Sequence, residues 1–363
     1  MTLTSDTQPS SKNWARELAS GLVTQGQLAQ EGLVSDTTAS CFSDIEEQFH
    51  TRIPQVLLEQ IKTNPALAKQ FVPSADELVF YPEELDDPIG DDTHSPVEGI
   101  THRYPDRVLL KPTYMCGVYC RFCFRRNKVS HAQFNLKADA YSQAITYIAN
   151  NSQIWEVILT GGDPLVLTDN ALKKIFSDLS KIEHVSVIRI HTRIPVVLPS
   201  RIQASLVEIF KETQKTVWIS VHINSAQEFT QESISALNML TENGFPLVMQ
   251  SVLLKGINDT EDDLVTLFKA AVKNKIKPYY LHYPDLAKGT HHFRVPLKKA
   301  IELVKNLRGK ISGLCIPHFI VDIPGGKGKI AMNAHTAMEL HDNNWTFESP
   351  ITGETVTVTY PVA

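Results

Sequence analysis

Tyr114-Met-Cys-Gly-Val-Tyr-Cys-Arg-Phe-Cys-Phe-Arg-Arg126 places three of the chain's five cysteines, Cys116, Cys120 and Cys123, within eight residues. The other two, Cys41 and Cys315, lie far away in sequence. Thiolates at this spacing on a short loop can grip three corners of a cubic iron–sulfur cluster. Clusters that only carry electrons are held by four cysteines as a rule. Three ligands leave one iron open, and an open metal position is where chemistry happens. A disulfide with a spare thiol fits poorly, because nothing marks the chain as secreted. A structural zinc is the alternative, and its fourth ligand would have to be His102 or His131.

The loop follows a candidate strand, and the chain beyond it has a regular texture. Strand-length apolar runs at 107–111, 156–160, 185–191, 216–222, 246–253, 278–282 and 317–322 alternate with longer amphipathic stretches. Helical patterns fall at 138–148, 169–179, 227–242, 261–274 and 297–307. Such alternation predicts parallel strands joined by crossover helices. Six or seven units predict an α/β fold built as a complete or partial (β/α) barrel, with its site at the C-terminal ends of the strands. The chemically suggestive residues recur there: the cysteine loop, Gly161-Gly-Asp163, His222, Asp285 and Asp322.

Outside the barrel, residues 1–12 are polar and read as disordered. Residues 13–78 carry apolar positions at helical spacing, as in Trp14, Leu18 and Leu22, or Leu57, Ile61 and Leu67. Residues 76–96 are acidic and proline-rich and read as a linker or a wrapping loop. The tail alternates at 355–360 and predicts an edge strand or hairpin. Expected boundaries are a helical region at 1–98, a barrel core at 99–330 and a short β extension at 331–363. A net charge of −5 over 363 residues gives no footprint for nucleic-acid binding. No stretch reaches the roughly 18 apolar residues of a membrane span. The N-terminus has no signal-peptide pattern, and few cysteines suit a reducing cytoplasm.

Two further segments carry chemistry. Leu159-Thr-Gly-Gly-Asp-Pro164 follows a strand, and its glycines allow a backbone edge to approach a ligand closely. It also reads as an ordinary strand-to-helix turn. His222 is either a ligand contact or a strand-end histidine. Ile320-Val-Asp-Ile-Pro-Gly-Gly-Lys-Gly-Lys-Ile330 can bring a lysine amine over the barrel mouth, where pyridoxal phosphate (PLP) could be held. It does not match the Walker phosphate loop. Arg103 and Arg107 suit phosphate oxygens, or are surface arginines at a strand entrance.

The C-x3-C-x2-C loop and the Gly-Gly-Asp turn one βα unit later resemble the radical S-adenosylmethionine (SAM) superfamily. The resemblance then narrows. The cysteine loop with Arg125, Gln250-Ser-Val-Leu-Leu-Lys-Gly-Ile-Asn-Asp259, Tyr279-Tyr-Leu-His-Tyr-Pro-Asp285, His292-Phe-Arg294 and the Asp322–Lys329 loop resemble the lysine 2,3-aminomutase family, in unbroken order from about Gly99 to Lys329. The resemblance implies that Cys116, Cys120 and Cys123 hold a [4Fe–4S] cluster whose open iron binds SAM. Gly161, Gly162, Asp163 and His222 would contact SAM, and Lys329 would carry PLP as an aldimine. Arg103, Arg107 and Gln250 would contact the PLP phosphate. Arg125 would take the substrate carboxylate, and Asp285 and Asp322 its distal ammonium. The implied reaction is an isomerisation in which a 5′-deoxyadenosyl radical starts migration of an α-amino group to Cβ.

Two carboxylates at one end of a pocket favour a cationic side chain, each charge-assisted bond being worth roughly 1.5–3 kcal/mol. L-lysine therefore leads, with arginine and ornithine as alternatives. The resemblance also implies an electron donor such as flavodoxin or ferredoxin and a homo-oligomer. Lys327 stands where the family commonly has glycine and rivals Lys329. No cysteine follows Cys315, unlike clostridial-type members, which puts a zinc-mediated subunit contact in doubt. The chain length and the run Asn13-Trp-Ala-Arg-Glu-Leu18 resemble a bacterial branch that makes (R)-β-lysine for elongation factor P, whereas the Asp322-Ile-Pro-Gly-Gly326 loop favours the free-lysine enzyme. A degenerate, non-catalytic barrel would have lost some of Cys116, Arg125, Asp163 or Lys329, and all are present.

Overall fold

The computed structural model describes residues 13–332, 337–339 and 343–361, so the expectation for 1–12 lies outside the described residues. Short helices fill the N-terminal region: Asn13–Ala19, Gln25–Gln30, Asp36–Ser40, Phe42–Gln48, Leu58–Thr63 and Pro65–Ala68. Their ends are set by local chemistry. Thr24 and Gln27 form a capping box, and Asn64 caps the turn that Pro65 opens. Helices this short are not stable alone. They are held by burial of Leu28, Ile61, Leu67 and Phe71, all of which join the main core.

Nine strands form one sheet in chain order. They are β1 (Ile100–Tyr104), β2 (Arg107–Thr113), β3 (Glu156–Gly161), β4 (Val187–Thr192), β5 (Thr216–His222), β6 (Leu247–Val252), β7 (Ile276–His282), β8 (His318–Ile323) and β9 (Gly328–Ala331). Strands β2 to β8 run parallel, and β1 and β9 are antiparallel at the two edges. Among the described residues the edges do not pair, so the sheet curls into a partial barrel. Several contacts bridge the seam. The Tyr104 hydroxyl accepts from the Lys329 amide at 2.9 Å, and Arg103 pairs with Asp322 at 3.2 Å. The Gly325 amide donates to Pro88 O at 3.1 Å.

Three crossover helices, Asp169–Ser180, Gln231–Glu242 and Glu261–Lys273, each begin at a capping threonine: Thr168, Thr230 and Thr260. The expected helix at 227–242 splits because Ser225 and Glu228 close their own capping box before Thr230 restarts the chain. Strand β7 begins at Ile276, two residues before the sequence pattern suggests. Its pairing with β6 shifts register after Pro278, which skips Tyr279. Proline is tolerated in a strand at such an irregularity. The shift lets the consecutive Tyr279 and Tyr280 both face the barrel interior, stacked at 3.8 Å. A second sheet of β10 (Ala337–Glu339), β11 (Asn344–Glu348) and β12 (Thr355–Thr359) covers part of the tail. Among the described residues no helix is long and apolar enough to cross a membrane.

Candidate active site

The barrel encloses one large cavity of about 470 Å³. Fourteen of the residues that the sequence singles out line it: Arg103, Arg107, Cys116, Cys120, Cys123, Arg125, Gly161, Gly162, Asp163, His222, Gln250, Asp285, Asp322 and Lys329. Its size suits small molecules and cofactors.

The three cysteines are all free thiols. Burial pushes all three upward, Cys123 to about 11. The Asp163 carboxylate adds to the rise at Cys116, and the Arg193 guanidinium opposes it at Cys120. A metal bound here would have to displace these protons. The zinc alternative does not fit, because neither His102 nor His131 lines the cavity with the cysteines. His102 instead bonds the Tyr147 hydroxyl at 2.8 Å, and His131 packs on His50 and Phe134.

The Gly-Gly-Asp turn docks directly beneath this loop. Gly161 sits at φ +105°, and a Cβ on Gly162 would stand 2.3 Å from Met115 O. The second glycine is therefore required for contact with the cysteine loop itself. The Gly162 and Asp163 amides donate to Thr113 O and Met115 O at 2.7 and 2.9 Å. Asp163 is buried, and its carboxylate accepts from Thr192 Oγ1 at 2.8 Å, the Leu165 amide at 3.0 Å and the Arg193 amide at 2.7 Å. Burial outweighs these bonds and raises Asp163 to about 6. The turn thus welds the ends of β2, β3 and β4 together. His222 lies against Phe122 of the cysteine loop, with ring centroids 5.6 Å apart, and burial holds it well below its ordinary value.

The β8–β9 hairpin also faces the cavity, through Asp322 and Lys329. Gly325 and Gly326, at φ +75° and +76°, make the turn, and the register sets Asp322 directly opposite Lys329. The Lys329 ammonium bonds Asp322 Oδ2, and Arg103 Nη2 donates to Oδ1 at 3.2 Å. Burial would raise Asp322, but Lys329 and Arg103 outweigh it and hold the carboxyl below its ordinary value. Asp285, by contrast, is raised to about 7 by burial and then by the Asp322 carboxylate. Two acids of one pocket are thereby driven apart. Lys327 leaves the cavity altogether and pairs with Glu354 at 2.6 Å on the surface.

Arg125, also in the lining, donates through Nε to Asp91 at 2.6 Å. Burial would raise Asp91, yet Arg125 and Lys111 hold it at about 2, so this pair stays ionised. Arg107 lies over the Tyr104 ring at 4.0 Å and bonds Asp106. Gln250 Nε2 sits 3.2 Å from His191 Nε2.

The model of the Radical SAM superfamily matches residues 110–268. The L-lysine 2,3-aminomutase of Clostridium subterminale is 43% identical over 79% of this chain and 69% of its own length. That of Methanococcus maripaludis is 45% identical over 72% of this chain and 60% of its own. That of Buchnera aphidicola subsp. Baizongia pistaciae is 35% identical over 89% of this chain and 96% of its own. The chain belongs to the lysine 2,3-aminomutase family.

Sequence reasoning passed over four residues that the fold brings to the cavity wall. Tyr104, Asp91, Arg193 and His282 all line the cavity. Asp91 sits in the acidic segment read as a linker or a wrapping loop, and it does wrap, carrying its carboxylate inward. Tyr104 and Arg103 belong to β1, whose polar sequence hides a strand. Arg193 follows the end of β4, the strand-end position that marks the other candidates.

Proposed function

We propose that the chain is an L-lysine 2,3-aminomutase, an isomerase that moves the α-amino group of L-lysine to Cβ. The observation that carries this reading is one cavity holding three free thiols, a lysine paired with an aspartate, and a second, half-buried aspartate, Asp285. Cys116, Cys120 and Cys123 hold a [4Fe–4S] cluster, SAM lies against Gly161, Gly162, Asp163 and His222, and PLP is held by Lys329. When bound, the cluster with SAM supplies hydrogen-atom abstraction, and PLP supplies a conjugated system over which an unpaired electron spreads.

The chain's own side chains bind and orient. Arg103, Arg107 and Gln250 serve the cofactor phosphate, and the Tyr104 ring keeps the Arg107 guanidinium in place. Arg125 is anchored through Nε by Asp91 and through Nη1, at 3.5 Å, by Thr160 Oγ1, and its Nη2 would take the substrate carboxylate. Asp285 and Asp322 receive the distal ammonium. Lys329 is preferred over Lys327 because Lys327 is turned away and paired with Glu354. Positioning and exclusion of water are the protein's contribution. The reading includes a one-electron donor such as flavodoxin or ferredoxin, a homo-oligomer in the cytoplasm, and boundaries at 98 and 330.

The test is anaerobic incubation of the reconstituted protein with PLP, SAM, reductant and free L-lysine, with products resolved by chiral chromatography. Sustained accumulation of β-lysine is expected. SAM cleavage without β-lysine would discard lysine as substrate.

A further inference from the structure

Arg193 is the buried cation closest to the cysteine loop's chemistry. Its Nη1 donates to Cys120 Sγ at 2.9 Å. Its Nη2 donates to Gln70 Oε1 at 2.6 Å and Glu228 Oε2 at 2.8 Å. The guanidinium is sandwiched near the rings of Phe71 and Phe122, at 4.6 and 5.7 Å. The backbone end is fixed as well, because the Arg193 amide donates to Asp163. Gln70 and Glu228 are in turn held by Asn224: its Nδ2 donates to Gln70 at 3.1 Å and its amide to Glu228 Oε1 at 2.9 Å. All four side chains are buried. A cation fixed from both ends against one cysteine sulfur exceeds what folding the loop requires.

We propose that Arg193 is a positioning residue that sets how readily the cluster on Cys116, Cys120 and Cys123 accepts an electron, with Glu228 as its opposing charge. The inference rests on the cluster reading above. Taking one electron from an external one-electron donor makes the cluster more negative by one charge. A cation bonded to a ligand sulfur favours that reduced state, and a buried anion disfavours it. Low local dielectric keeps both effects large. Gln70 is neutral and serves to aim the fork.

The test uses reconstituted holoenzymes, their iron content, and midpoint potentials from redox titration followed by electron paramagnetic resonance. R193Q is expected to keep its iron and show a more negative midpoint. R193K, which keeps the charge, should lie near wild type. E228Q keeps an acceptor for the Asn224 amide and should shift the midpoint the opposite way, less negative. Midpoints that do not move, or that move together in R193Q and E228Q, would overturn the proposal. If R193Q fails to hold iron, E228Q decides alone, and an unmoved or more negative midpoint overturns it. A wild-type protein that binds no iron would instead overturn the cluster reading itself.

Discussion

Asp285 carries the clearest pH dependence in the molecule. Burial and the nearby Asp322 carboxylate raise it to about 7, whereas an unfolded aspartate titrates near 4. Between those values the folded chain binds the extra proton, so stability falls as pH rises through that window. The penalty is full above about pH 7 and absent below about pH 4. D285N should therefore melt higher than the wild type without ligands at pH 8, with the margin fading toward pH 4. The same variant should lose about 10- to 100-fold in kcat/KM for lysine, one charge-assisted bond's worth. In the wild type, KM for lysine should rise as pH falls through about 7. A flat KM profile would remove Asp285 from the ammonium site. Lys329 gives a second residue-scale test. K329A should lose PLP on gel filtration while K327A keeps it, because the Lys327 ammonium bonds Glu354 outside the cavity.

At the scale of elements, the Gly-Gly-Asp turn and the cysteine loop act as one unit. The atoms nearest a Cβ on Gly162 are Met115 O at 2.3 Å and Tyr114 C at 2.6 Å, all backbone, so no side chain can move aside. G162A should cost about 1–3 kcal/mol of stability by overpacking, read by denaturant titration. It should also lower iron per chain by displacing the loop. Normal iron content in a destabilised G162A would separate the turn from the cluster site. The parallel strands were legible in sequence because their apolar runs are bounded by turn residues, and chain order equals sheet order. The edges were not legible. In β9, Gly328-Lys-Ile-Ala331 reads as the end of a glycine loop, and only pairing with β8 makes it a strand. In β1, Thr-His-Arg-Tyr looks like a polar approach to β2. The site's first contacts were legible because cysteine spacing and strand ends mark them. Asp91 and Arg193 were not, since each acts by bonding another side chain 34 or 73 positions away in sequence.

Across the whole molecule, the barrel seam is where the tail matters. The β8–β9 turn is gripped from outside: a Cβ on Gly328 would meet Pro350 at 2.8 Å and Ile351 at 3.2 Å. Ser349 is buried, and its hydroxyl donates to Lys327 O at 2.6 Å while accepting from the Thr352 amide at 3.1 Å. The segment after β11 therefore clamps the loop that delivers Lys329, and none of its bonds to that loop involves the cysteine loop. S349A leaves the Lys327 carbonyl and the Thr352 amide without their partner, at a cost of about 1–3 kcal/mol. Because that strain falls on the hairpin, PLP affinity should weaken several-fold by absorbance titration, with iron content unchanged. Equal loss of iron and PLP would mean that the hairpin and the cysteine loop fold as one unit. Loss of PLP alone would show that the tail steadies only the hairpin side of the seam.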